Sequence, residues 1–176
     1  AVQAASNRQV EAMCAKLNDH LRHMEAGFEL DVEQIKNELT RGALRERHLA
    51  RALRQKVYMA CDNDESAIQS VLEKLFGGKA VKSSLKDIAG IENEIRANLL
   101  KAGGVAFVAE DTEAFLPMQT VCEIILAAGG IPTYPFLADD ANGQYTDFES
   151  NLEQVADQLT GRGFHSVEFI TTRNDV

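Results

Sequence analysis

The sequence predicts an α/β protein that is predominantly helical and carries only a few short parallel strands. Three observations lead there. Apolar residues recur at helical spacing through most of the first 101 residues. The pattern then changes: a helix, a Gly-Gly pair and a short apolar run follow one another twice, at Lys101-Ala-Gly-Gly-Val105 and at Ala127-Ala-Gly-Gly-Ile131. Strands that alternate with helices favour parallel pairing through helical crossovers. Two regions are therefore expected, 1–101 as a helical region and 102–176 as an α/β region.

The first helix runs from about Ser6, with Val10, Met13, Cys14, Leu17, Leu21 and Met24 on one stripe, and Gly27 ends it. Asp31 suits the N-cap of a short helix through Leu39, with Glu33 and Gln34 in its first turn. Leu49, Leu53, Val57 and Ala60 mark a third helix over 46–60. A fourth starts near Asp64, carries Ile68, Val71, Leu72 and Leu75, and stops at Gly77-Gly78. Ile88, Ile91, Ile95 and Leu99 define a fifth over 84–101, weakened near its start by Gly90.

In the second half, residues 105–109 (Val-Ala-Phe-Val-Ala) read as a short buried strand. Pro117 opens the next helix, which Val121, Cys122, Ile124, Ile125 and Leu126 make mostly apolar and hence buried. Residues 131–135 read as a second strand. Its two prolines cannot donate ladder hydrogen bonds and confine it to a short or edge position. Phe148, Leu152, Val155 and Leu159 mark a last helix ended by Gly161 and Gly163, and 165–171 reads as a final strand.

Charge and composition narrow the functional classes. The 176 residues hold 18 basic against 27 acidic side chains, a net charge of −9, which opposes a nucleic-acid-coating role or adhesion to an anionic membrane. No apolar run approaches the roughly 18 residues of a membrane span. Three cysteines do not make a disulfide framework, so a reducing, cytoplasmic setting is expected. Cys14, Cys61 and Cys122 stand too far apart for zinc spacing, and no phosphate-binding glycine loop or nucleophile elbow is present.

Ligands in parallel α/β architectures bind at the carboxyl ends of strands. That rule selects Glu110, Asp111 and Glu113 after the first strand, and Tyr134, Asp139, Asp140 and Asn142 after the second. Glu168 lies within the third strand, with Arg173, Asn174 and Asp175 beyond it. Carboxylates converging there suit a divalent cation, with Glu110, Asp139 and Glu168 as candidate ligands; solvated loop carboxylates are the plainer alternative. His20 and His23 lie three apart on one helical face, a chelating spacing that equally complements a helix C-terminus. A dense basic segment holds Arg41, Arg45, Arg47, His48, Arg51 and Arg54. At a helix N-terminus, Arg47, His48 and Arg51 are candidates for holding a substrate phosphate; the alternative is a solvated basic helix.

The order of several segments resembles the polymerase and histidinol phosphatase (PHP) family. They are Asn7-Arg8, Leu30-Asp31, the run Arg47-His48-Leu49-Ala50-Arg51-Ala52-Leu53, and Leu75-Phe76-Gly77-Gly78-Lys79-Ala80. Gly129-Gly130-Ile131-Pro132 and Gly163-Phe164-His165-Ser166-Val167-Glu168 follow. The resemblance is to the middle and later part of such a domain, of the kind with a helical insertion. It implies a distorted (β/α)7 barrel and a phosphoesterase in which divalent metals (Mn, Zn, Fe or Mg) activate water against a small phosphorylated substrate. It matches Glu168 to an acidic strand residue and the His48 segment to a substrate-facing one.

The sequence also departs from that pattern. It has no His-x-His and no closing Asp-x-His, and Tyr134 stands where the resemblance places a metal-ligating histidine. A neutral phenol with an ordinary pKa near 10 is a poor substitute for imidazole. Since the chain also begins at Ala1 with no initiator Met, a fragment of a larger domain is expected, inactive as an isolated chain. The alternative is a non-catalytic binding or oligomerisation module. A piece with open strand edges and apolar faces is expected to self-associate into a homo-oligomer.

Overall fold

The structure, a computed structural model, describes residues 2–136 and 148–169. Helix α1 spans Val2–His23, α2 Val32–Leu39, α3 Glu46–Ala60, α4 Glu65–Leu75 and α5 Ile88–Ile95. The last of these continues as a π-helical turn over Arg96–Leu100, and a single 3-10 turn follows at Thr112–Ala114. Then come α6 (Met118–Ala127), β1 (Thr133–Phe136), α7 (Leu152–Gly161) and β2 (Ser166–Phe169). The described residues are thus mostly helical, with two short strands that pair in parallel, Tyr134 opposite Val167 and Pro135 opposite Glu168. This sheet is open; no closed barrel is present among the described residues.

Short polar side chains start four of the helices, two of them, Asp31 and Asp64, as the sequence suggests. Asp31 accepts from the amides of Glu33 and Gln34 at 2.9 and 3.1 Å, and Asp64 from Ala67 at 2.7 Å. Asp87 accepts from Gly90 and Asn151 from Gln154. Each such cap satisfies an amide that the helix itself leaves free, a contribution of about 1 kcal/mol.

The contacts divide the chain into two compact units, Ala1–Phe115 and Leu116–Val176. Residues 102–115 therefore pack with the helical unit. In that unit α3 lies against α1, α2, α4 and α5, and its core holds Met13, Leu17, Leu21, Leu49, Leu53, Ile91, Ile95 and Leu99. A smaller core around Cys122, Val155, Leu159 and Phe164 holds the second unit together.

The strand expected at 105–109 does not form. Gly104 presses against the backbone of Leu99, where a Cβ would meet the Leu99 carbonyl carbon at 2.4 Å, and the Ala106 amide donates back to the Leu99 oxygen at 2.9 Å. The chain is thereby folded onto the end of the preceding helix. Side chains of α1 then take the carbonyls that a partner strand would use: Gln9 Nε2 donates to Val108 O and Lys16 Nζ to Phe107 O. Gly129-Gly130 repeats the local geometry, with a positive φ at the first glycine and a crowded second one, yet leads into β1. Helix α6 is also less enclosed than its composition suggests, since Cys122 is buried while Ile124 and Leu126 are exposed.

Candidate functional site

A cavity of about 500 Å³ opens in the helical unit beside the N-terminus of α3. Its geometry begins with Asn7 on α1, which donates to Gly42 O and accepts from the Leu44 amide, both at 2.9 Å. Gly42 adopts φ +94°, a left-handed turn that costs glycine little. Leu44, fully buried, then anchors the chain, and α3 starts two residues later.

The N-cap of α3 is Arg45, in an extended conformation, and its side chain has no acceptor to offer the helix. The amides of Glu46 and Arg47 accordingly find no protein acceptor among the described residues. The Arg45 guanidinium instead donates to Ser6 Oγ at 2.5 Å and to Leu44 O at 3.0 Å. His48 faces inward, 7% exposed, and its Nδ1 accepts the Arg45 amide at 3.1 Å. With Nδ1 accepting, a neutral imidazole carries its proton on Nε2, so Arg47 Nε at 3.4 Å is a contact and not a second donor to the ring. Burial, then the guanidiniums of Arg47, Arg51 and Arg45, push the imidazole below its ordinary pKa. His48 thus closes the helix start, in the place that Glu or Gln takes in a capping box.

The cavity wall is mixed. Arg45, Arg47, Arg96 and Lys101 supply four cations against the two carboxylates Glu46 and Glu110. Val2, Val10, Ala114 and Phe115 form an apolar side. Glu46 Oε2 lies 3.0 Å from Lys101 Nζ and 3.5 Å from Arg96 Nη2. Arg45 and Arg47 have no carboxylate partner among the described residues. In a chain of net charge −9, a concave surface with excess cation beside free helix amides is suited to an anion.

The candidates from sequence scatter. Arg47 lines the cavity, as does Glu110. His48 is occupied by the helix start. Arg51 turns to Glu92 (3.8 Å), which Arg54 also holds at 3.0 Å, with the Arg54 guanidinium over the Tyr58 ring. Asp139, Asp140, Asn142 and Arg173, Asn174, Asp175 lie outside the described residues. His20 contacts the Leu75 carbonyl at 3.0 Å.

In the second unit, Tyr134 donates its hydroxyl to Glu149 at 2.9 Å and its ring meets Phe148 at 5.9 Å. Glu149, 3% exposed, has no counterpart among the candidates read from sequence. Burial, with the hydrogen bond to Glu149 and its charge, raises the Tyr134 phenol to about 12. Glu168 is exposed, and the strand register sets it with Pro135 on the opposite face from Tyr134 and Val167.

The divalent metal implied by the PHP resemblance finds no ligand group among the described residues, and Asp139, one of its candidate ligands, lies outside them. Among the described residues no three His, Cys, Asp or Glu side chains converge to hold a cation. Glu110 sits among arginines and a lysine, which oppose a cation, and the Tyr134 phenol is bound to a carboxylate with its proton held more tightly than usual. No described helix is long and apolar enough to cross a membrane.

Sequence reasoning did not pick out Arg96, Lys101 or Glu46. The first two are brought to one wall by the π-helical turn, in which the Lys101 amide donates to Arg96 O five residues back. That departure from helical register has no sequence signature. Compared with protein-family models, with curated proteins and with solved structures, the chain matches none.

Proposed function

We propose that this chain is a non-catalytic module that binds a small phosphorylated molecule in the cavity beside α3. The observation that carries this reading is the pair Arg45 and Arg47: two guanidiniums that, among the described residues, have no carboxylate partner, lining a cavity at the start of a 15-residue helix whose first amides find no acceptor there. Guanidinium forks and helix-start amides both favour phosphate oxygens. The volume, about 500 Å³, falls within the roughly 300–1,000 Å³ common for whole small-molecule sites, larger than a bare anion needs. No group in the cavity has the arrangement of an activated nucleophile, so binding without bond cleavage is the function assigned.

A second reading is a portion of a PHP-like metal-dependent phosphoesterase with a distorted (β/α)7 barrel. It is supported by the parallel pair β1–β2 with α7 between the strands, directly after Gly129-Gly130-Ile131-Pro132. One experiment separates the two readings. The purified chain is titrated with a phosphomonoester by calorimetry and then assayed for phosphate release with added Mn²⁺ or Zn²⁺. Binding without added metal that the Arg45→Ala/Arg47→Ala double variant loses supports the module. Metal-dependent turnover by the chain would overturn it in favour of the phosphoesterase.

A further inference from the structure

Glu46 is a single carboxylate placed between two of the four cavity cations. It is the first residue of α3, where a carboxylate ordinarily does no more than complement the helix dipole from the surface. Here the side chain is largely enclosed, 21% exposed, and lies within ion-pair distance of Arg96 and Lys101. Its Oε2 is shut off from solvent and, although both cations lie within ion-pair distance, neither makes a well-formed hydrogen bond to it. Arg96 Nε is likewise shut off from solvent and has no acceptor. The group is therefore electrostatically matched but short of hydrogen bonds, and the two cations it engages stand at the start and just past the end of a π-helical turn, a local irregularity frequent at functional sites.

We infer that Glu46 determines how much anionic charge the cavity accepts, limiting it to one phosphoryl group and discriminating against ligands with two in succession. Resting on the phosphate-binding reading, the logic is one of charge matching. With Glu46 holding Arg96 and Lys101, the cations left for a ligand are Arg45 and Arg47, which complement one dianionic phosphate. A second phosphoryl group reaching for Arg96 or Lys101 comes up against the Glu46 carboxylate that lies 3.5 and 3.0 Å from those cations, and like charges in a partly enclosed site repel strongly. Neutralising Glu46 removes that repulsion and releases both cations, including the enclosed Arg96 Nε, to a ligand oxygen.

The test is calorimetric titration of the full chain with inorganic phosphate and with pyrophosphate, for wild type, Glu46→Gln and Glu46→Asp. In wild type inorganic phosphate is expected to bind roughly tenfold more tightly than pyrophosphate. Glu46→Gln is expected to bind pyrophosphate roughly tenfold more tightly than wild type, with a smaller gain for phosphate. Glu46→Asp keeps the charge and is expected to keep the wild-type ratio. An unchanged ratio in Glu46→Gln, or loss of both anions by a variant with a native circular dichroism spectrum, overturns the assignment of Glu46. If wild type binds neither anion, the phosphate-binding reading itself fails. Binding that Arg47→Ala abolishes but Glu46→Gln leaves in the same ratio sinks this inference alone.

Discussion

Replacing His48 tests the link between the start of α3 and the protonation of a buried group. The imidazole accepts the Arg45 amide at 3.1 Å and is 7% exposed. Truncation to Ala removes that acceptor and most of the packing of the ring, together about 2–3 kcal/mol at neutral pH. His48→Gln is the more informative change, because a glutamine at this position retains an acceptor for the same amide and does not titrate. In the folded protein the imidazole pKa lies below its ordinary 6.5, held down first by burial and then by Arg47, Arg51 and Arg45. The unfolded chain therefore takes up this proton first as pH falls. Stability from His48 is complete above its unfolded pKa of about 6.5 and is lost as pH falls from there through the folded pKa. Urea denaturation followed by far-ultraviolet circular dichroism, from about pH 7.5 to about pH 5, reads this directly. The difference between wild type and His48→Gln is expected to shift in favour of the variant as pH falls. Parallel curves for the two proteins, or a wild type that gains on the variant at low pH, would refute the assignment.

Gly104→Ala forces a Cβ to within 2.4 Å of the Leu99 carbonyl carbon, so a loss of roughly 2 kcal/mol or more is expected, against about 1 kcal/mol for Gly103→Ala, which meets open space at φ +89°; equal melting temperatures for the two variants would contradict the close approach. Tyr134→Phe withdraws a donor from the enclosed Glu149 carboxylate and is expected to cost about 1–3 kcal/mol in the second unit, read as earlier proteolysis there. In alkaline titration followed by ultraviolet absorbance, the same variant is expected to lack the component that ionises at about 12; its persistence would mean that another tyrosine supplies it. Sedimentation is expected to show a dimer or larger species, since Ile131, Val167 and Phe169 are exposed around an open two-stranded sheet, and a clean monomer at high concentration would contradict this.

The helical half was readable in the sequence because its information is local. The Asp31 and Asp64 caps and the period of the apolar residues place α2 to α5 within a few residues of where they lie. Val105 to Ala109 misled because a short apolar run has no period to distinguish a strand from a covered loop. What decided the outcome was a hydrogen bond to Leu99 and two side chains of α1 nearly a hundred residues distant. The site was half visible. Arg47 and the basic segment stand out in sequence, but that His48 turns inward while Arg51 turns to Glu92 depends on which face of α3 is covered. Arg96 and Lys101 reach the cavity through a π-helical turn, and Glu149 reaches Tyr134 across the chain between β1 and α7. Neither meeting follows from spacing along the sequence.

The most direct test of phosphate binding at the start of α3 is a two-dimensional amide NMR titration with inorganic phosphate, comparing wild type with the Arg45→Ala/Arg47→Ala variant. The largest saturable shifts are expected at the amides of Glu46 and Arg47, with smaller ones at Arg96 and Lys101, and all of them lost in the variant. Shifts centred elsewhere, or the same shifts in the variant, would contradict the account.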